Sequence, residues 1–269
     1  MAKTSVAVKE EQILPAFMQD QVGLGTEALG VGDAEIPRLK LMQALSPELE
    51  AYDTLKQGEF FHTLIEESFG NSVRVTPIYV DSRYVLWRPR EAGGGILARA
   101  DDGHHWSPAD TEFTVKLKGG AEVKWKTAKT VSQSGLDLWG SYNPEDPNSP
   151  PAATRMYNFV MGFADRPELP PAVVTLQRAA IRVARRLIGK LKVTRAPSFG
   201  LVFVMSSFKD KSPAGDFYNY QFKMDGMVQD KEIYDNNFKQ YQFFKDQGLK
   251  VKDLESTQED EAAAETEKF

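Results

Sequence analysis

Short segments rich in β-branched and aromatic residues recur between residues 60 and 222, and they restrict the chain to a fold built mainly from strands. Residues 113–117 and 123–126 are the clearest pair, because apolar residues alternate with polar or basic ones and Gly119–Gly120 separates the two runs. This pattern predicts a β-hairpin with one apolar and one basic face. The other predicted strands are residues 60–64, 73–80, 84–87, 96–99, 156–163, 172–176, 201–205 and 217–222.

Two helices are predicted among these strands from apolar residues spaced three and four apart. The first covers Gln177 to Leu191 and carries a basic exposed face, and the second runs from about Asp230 to Gln247 with Gly248 at its end. The predicted buried stripe of the second helix consists of Ile233, Phe238, Tyr241 and Phe244. This order of elements predicts an α+β, β-rich protein, an OB-fold-like antiparallel barrel with insertions and a C-terminal helix.

The chain is predicted to have three regions. Residues 1–35 are expected to be flexible, since four glycines interrupt any periodic pattern there. Residues 36–250 form the expected nucleic-acid-binding domain, and residues 251–269 form an acidic tail that is expected to be disordered.

Charge is distributed unevenly along the chain. The formal net charge is −5, yet residues 253–269 hold seven acids and one base, so the remainder is close to neutral. Residues 172–209 contain eight lysines and arginines and no acid. This pattern is typical of a protein with a polyanionic partner and a tail that competes for the same surface.

Several kinds of chemistry are disfavoured by the sequence. The chain has no cysteine and three histidines, which excludes thiolate sites and makes a multi-histidine metal centre unexpected. Asp101-Asp102-Gly103-His104-His105 predicts a turn, because Asp-Gly favours turns and adjacent strand histidines point to opposite faces. Gly93–Gly95 lacks the Lys-Ser/Thr pair of a phosphate loop. We therefore expect no catalytic residues, no metal and no cofactor, and hence a protein that is not an enzyme.

The sequence contains no run of about 18 apolar residues, the length that a membrane-spanning helix requires. The first residues lead into Lys9, Glu10 and Glu11 rather than into an apolar stretch. We expect no membrane association and a cytoplasmic location.

Cations and aromatic residues occur together in three segments, which is the composition that single-stranded nucleic acid requires of a protein. The predicted binding residues are Arg178, Arg182, Arg185, Arg186, Lys190, Lys192 and Arg195, on the first helix or just after it; Lys116, Lys124, Lys126 and Trp125 on the hairpin; and Tyr84, Trp87, Arg88 and Arg90 near the third strand. The cations are expected to contact phosphates, and Tyr84 and Trp87 to stack on bases. Trp125 is either a stacking residue or part of the core, because it alternates with Lys124 and Lys126.

Residues 258–269, which include Asp260, Glu261 and the final Phe269, resemble the tails of bacterial and bacteriophage single-stranded DNA-binding proteins. Lys268 departs from the usual ending of those tails. Segments 36–40 and 87–97 resemble a family of tailed-phage early proteins. The resemblance implies an oligonucleotide-binding barrel that coats single-stranded DNA during phage replication or recombination in the host cytoplasm. It also implies that Asp260, Glu261 and Phe269 recruit replication or recombination proteins.

Other functions fit the same pattern. A virion structural or scaffold protein would turn its basic segment toward another subunit. A strand-annealing recombinase would bind single strands as a ring, so a homo-oligomer is one possible state. An adaptor that binds no nucleic acid would use the tail alone.

Removing residues 253–269 is expected to tighten binding to single-stranded DNA, because a net −6 segment no longer competes for the basic surface. Fluorescence anisotropy with a labelled oligonucleotide at fixed salt measures this change. Unchanged or weaker binding would contradict the competition.

Overall fold

The computed structural model of this chain describes Gly25 and residues 36–89, 92–212 and 215–249. The strands are β1 Leu39–Leu41, β2 Phe60–His62, β3 Glu67–Ser68, β4 Ser72–Trp87, β5 Ile96–Ala100, β6 Glu112–Lys116, β7 Glu122–Lys126, β8 Ala153–Phe163, β9 Ala172–Gln177, β10 Leu201–Ser212 and β11 Gly215–Met227. The helices are α1 Glu48–Ala51, α2 Val131–Ser134, α3 Ile181–Thr194 and α4 Lys231–Gln247. The predicted tail and, Gly25 apart, the predicted N-terminal region lie outside the described residues.

Strand β4 is the centre of the main sheet. This antiparallel sheet has the order β11-β10-β4-β8-β9, and β5 joins the far end of β4. The 16 residues of β4 pair with β10 at Ser72–Val75, with β5 at Tyr84–Trp87 and with β8 over most of their length. Pro77 is tolerated in this central strand because the pairing with β8 shifts between Pro77 and Tyr79, which relieves the missing donor at a bulge.

The β-rich α+β class is confirmed, and so are the hairpin β6–β7 and both predicted helices. In the described part of the chain the strands do not close into a barrel. Residues 36–43 run from the edge of β9 to the edge of β11, but they meet β9 through one bridge at Arg38 and meet β11 through the side chain of Gln43. Continuous strand pairing therefore stops at both edges, so the described strands form an open sheet and the predicted OB-fold-like topology is not confirmed.

Helix α3 packs on one side of the sheet, which we call the α3 side. Its buried residues Ala184 and Leu187 join a core with Phe159, Leu176 and Phe203. Alternate strand residues point to the opposite side, where Val160 and Val173 pack with Phe244 of helix α4.

Helix α4 begins where the sequence predicts, since Asp230 caps it by accepting hydrogen bonds from the N–H groups of Glu232 and Ile233. Its predicted buried stripe is partly wrong. Phe238 is 40% exposed, and Asn237 is buried in its place and donates to the carbonyl of Phe199. No helix in the described ranges is long and apolar enough to cross a membrane.

A second packed unit covers the β5 end of the sheet. Its core contains Trp106 and Trp125, together with Leu136 and Ala153, and the hairpin β6–β7 contributes its apolar face. Trp125 is 1% exposed and its indole N–H donates to the carbonyl of Tyr142 at 3.2 Å. The alternation in the hairpin therefore places Trp125 in the core and turns the lysines toward solvent.

The outer edge of β11 is covered by side chains. The amide group of Gln43 accepts from the N–H of Tyr218 at 2.9 Å and donates to its carbonyl at 2.8 Å. The N–H of Tyr220 donates to Asn219 Oδ1, and Lys190 Nζ donates to the carbonyl of Phe222 at 2.5 Å. These contacts satisfy backbone groups that an edge strand would otherwise present to another strand.

His62 is fully buried in contact with the rings of Phe69 and Phe163. Its Nδ1 accepts from the N–H groups of Leu64 and Ile65 at 3.3 and 3.4 Å. Burial lowers the pKa of His62, and contacts with the backbone at Pro170 and with the Glu67 carboxylate oppose that shift less strongly.

Acidification is expected to destabilise the protein through His62. The pKa of His62 in the folded protein lies below the unfolded value of about 6.5, so protonation favours the unfolded state. Stability is therefore lost as the pH falls from about 6.5 to the lowered pKa. Urea unfolding of the natural protein and of His62→Phe at pH 7.5 and 5.5 tests this expectation. The natural protein should lose more stability than the variant, and equal losses would contradict the assignment.

Candidate nucleic-acid interface

Five exposed cations lie on α3 or at its C-terminal end. Ala184 and Leu187 face the sheet, so the opposite face turns Arg182, Arg185 and Arg186 to solvent. Lys192 and the C-terminal Arg195 are also exposed. Among the residues that the structure describes, no ion pair joins any of these five to an acid. The structure thus brings these predicted residues together on one surface.

Two other predicted cations of this segment have different roles. Lys190 Nζ donates to the carbonyl of Phe222 and so ties α3 to β11, which leaves it occupied within the protein. Arg178 is half-buried in the short 3₁₀ turn Arg178–Ala180 before α3 and is also engaged within the protein. Both side chains thus have contacts within the protein, and the phosphate contacts predicted for them stay predictions.

Arg195 ends α3 in the left-handed backbone region, with φ 55°. Glycine normally occupies this position because a Cβ atom is strained there. Arg178 adopts φ 49° just before the helix. Arginines in strained conformations thus flank the basic face at both ends.

Arg155 of β8 lies beside α3, on the same side of the sheet. Its guanidinium is 5.3 Å from the ring centroid of Tyr84 and 4.8 Å from that of Tyr157. Burial raises the pKa of Tyr84, the charges of Arg155 and Arg185 oppose this shift, and Asp137 adds to it. Arg185 from α3 and Asp137 from the loop after α2 are therefore both near Tyr84. This group of residues joins the two packed units.

The hairpin lysines do not form the basic face that the sequence predicts. Lys124 pairs with Glu112 at 2.8 Å and Lys116 pairs with Glu122 at 3.5 Å, while Lys126 lies opposite Glu112 in the pairing of the two strands. These contacts lower the pKa of Glu112 and raise that of Lys124. The exposed face of the hairpin is thus mixed in charge, and the structure shows no contact between its described lysines and α3.

The aromatic residues predicted to stack on bases are mostly covered. Trp125 is in the core, which is one of its two expected positions, and Tyr84 is 9% exposed, so neither presents an open ring face to solvent. The stacking role of Tyr84 stays a prediction. Trp87 is half-buried at the end of β4, followed by the exposed Arg88. Arg90 lies outside the described residues.

The segment Asp101–His105 forms the predicted turn. Asp102 Oδ1 accepts from the N–H groups of His104 and His105 at 2.7 Å, and Oδ2 lies 2.5 Å from His105 Nδ1. Partial burial would raise the pKa of Asp102, but these hydrogen bonds outweigh it and lower the pKa to about 2. The carboxylate therefore serves to close the turn.

Sequence analysis misses two residues of this surface. Arg155 immediately precedes the predicted strand 156–163, and only the fold extends β8 to include it and places it over the rings of Tyr84 and Tyr157. Trp139 is 72% exposed in a loop between Gly135 and Gly140. A tryptophan outside any helical or strand periodicity is a signal that could have identified it.

The fold and this surface define a β-rich α+β protein with an exposed, unpaired basic helix. The chain belongs to the family described as Pam3 phage gp34-like protein, whose model matches residues 8–250. This membership confirms the phage origin that the resemblance implies. The identity as a single-stranded DNA-binding protein stays a prediction. Neither the curated proteins nor the solved structures gave a match.

Arg195→Gly is expected to be more stable than Arg195→Ala by about 1 kcal/mol, because both remove the charge but glycine accepts a positive φ without strain. Chemical denaturation measures the difference. At Arg182, inside the helix, the order should reverse by a similar amount. Equal stabilities at position 195 would contradict the backbone strain.

Proposed function

We propose that this phage protein binds single-stranded DNA along the exposed face of α3. The observation that supports the proposal is the set of five exposed cations on this helix with no ion pair among the described residues. A single strand needs cations along its phosphates, and a convex helix face can follow a flexible backbone.

Stability does not explain the placement of these arginines. Arg182 lies in the first turn of α3, where the helix dipole disfavours positive charge, and Arg185 and Arg186 follow in the second turn. Arg182 is three and four residues from the other two, a spacing at which like charges repel on a helix. Ala180 supplies no side-chain cap. The cost of these features to the helix is consistent with selection for an external anion.

In this function the protein coats exposed single strands during replication or recombination. An oligonucleotide-binding barrel is not required for it. Asp260, Glu261 and Phe269 lie outside the described residues, so recruitment of replication or recombination proteins by the tail stays a prediction from sequence. The host cytoplasm is where this function would take place.

Gel shifts with labelled single-stranded and duplex oligonucleotides test the proposal. Single strands should bind more tightly than duplex of equal length. Equal affinity for both forms would indicate a general polyanion binder, and absence of binding at low salt would overturn the proposal.

The salt dependence of binding is expected to reflect the number of phosphate contacts that the five cations make. Log affinity should fall with log salt at a slope of about −3.5, since each phosphate contact to a single strand contributes about −0.7. The double variant Arg182→Gln, Arg186→Gln should reduce the slope to about −2.1.

The matched control is Lys116→Gln, Lys124→Gln, which removes the same charge from the hairpin. Those lysines pair with Glu122 and Glu112, so the slope should stay near that of the natural protein. If the control changes the slope as much as the α3 variant does, the α3 face does not carry the binding.

A further inference from the structure

Leu138 and Trp139 are displayed to solvent by a firmly held loop, residues 135–141, which we call the Trp139 loop. The two side chains are 61% and 72% exposed. Ser141 Oγ donates to the carbonyls of Leu136 and Leu138 at 2.9 and 2.6 Å and accepts from the N–H of Ala152 at 2.9 Å. An apolar pair held outward in this way does not serve the core.

The backbone of the loop is fixed at both ends. Gly135 ends α2 with φ 66°, and Gly140 has φ 86° with its N–H donating to the carbonyl of Ser149 at 2.7 Å. A Cβ atom at position 140 would lie 3.3 Å from the carbonyl oxygen of Pro147. The conformation that exposes Trp139 is therefore specified by glycines that other residues would not replace easily.

The Trp139 loop and the strand that leads into α3 are attached to β8 at neighbouring positions. The carbonyl of Leu136 accepts a hydrogen bond from the N–H of Ala153 in β8. Further along β8, Met156 pairs with Gln177, the last residue of β9 before the turn into α3. Ala153 and Met156 are three positions apart on β8, which corresponds to about 10 Å along the strand. Ala153 packs with Leu136, and Tyr157 belongs to the α3 core. Side chains two and four residues apart on a strand share a face, so the loop and α3 occupy one side.

We propose that Trp139 is the stacking residue for an unpaired base of a strand that lies along α3. This inference rests on the proposed function and names the feature of the ligand that the site selects, a base free of its pairing partner. The exposed cations of α3 supply the charge complementarity for the phosphates, and Arg155 of β8 lies over the rings of Tyr84 and Tyr157 on the same side of the sheet. The indole offers the flat apolar surface that Tyr84 and Trp125 do not.

The tryptophan fluorescence of the protein isolates this residue. Trp106 and Trp125 are buried and Trp87 is half-buried, whereas Trp139 is open to solvent. Addition of oligothymidylate should quench the natural protein, and the Trp139→Phe variant should lose most of that quenching.

Affinity measurements complete the test. Trp139→Ala should weaken binding of oligothymidylate roughly 5- to 150-fold without changing the salt slope, because one stacked base is lost and no phosphate contact. Trp139→Phe should retain most of the affinity, and Phe238→Ala, an exposed aromatic residue on the α4 side, should retain all of it. An abasic strand of equal length should bind the natural protein and Trp139→Ala equally.

The outcomes separate the two proposals. If Trp139→Ala binds oligothymidylate as tightly as the natural protein while the salt slope stays near −3.5, the stacking assignment is wrong and the proposed function stands. If the natural protein binds neither strand, both are wrong.

Discussion

The burial of one stripe of α3 against the sheet determines the surface that the protein presents. Ala184 and Leu187 have to face Phe159 and Leu176, and the helical repeat then leaves the arginines no position except solvent. The segment contains no acid that could neutralise them locally. Packing of the core thus clusters positive charges on one exposed face, and the repulsion between these charges destabilises the helix.

Strands β4 and β8 convert this local feature into a larger surface. Both run past the α3 core into the second packed unit, so side chains of one strand contribute to both cores. The guanidinium of Arg155 lies over the rings of Tyr84 and Tyr157. The Trp139 loop is attached to β8 at Ala153, three residues before Met156. The distance between basic helix and exposed indole is therefore set by a continuous strand rather than by a flexible linker.

The sequence predicts the secondary-structure elements better than it predicts the contacts between them. Periodicity places the hairpin β6–β7 and helix α4 correctly, because the period of apolar residues depends only on local geometry. It does not show that Lys190 reaches the carbonyl of Phe222 or that Lys124 meets Glu112, since those contacts join distant or facing segments. The same limit explains Phe238, because its neighbour Asn237 is buried through a hydrogen bond to the carbonyl of Phe199, a residue distant in the sequence. The OB-fold-like topology is not confirmed for a related reason, because strand order is not encoded in periodicity.

The covered edge of β11 has a consequence for self-association. A second chain that added a strand there would have to displace the amide of Gln43, the ammonium group of Lys190 and the Asn219 cap, each worth about 0.5–1.5 kcal/mol as a net hydrogen bond. Sheet extension into fibrils or swapped dimers is therefore opposed at this edge. Copies assembled along a shared strand of DNA would therefore meet through surfaces other than the β11 edge.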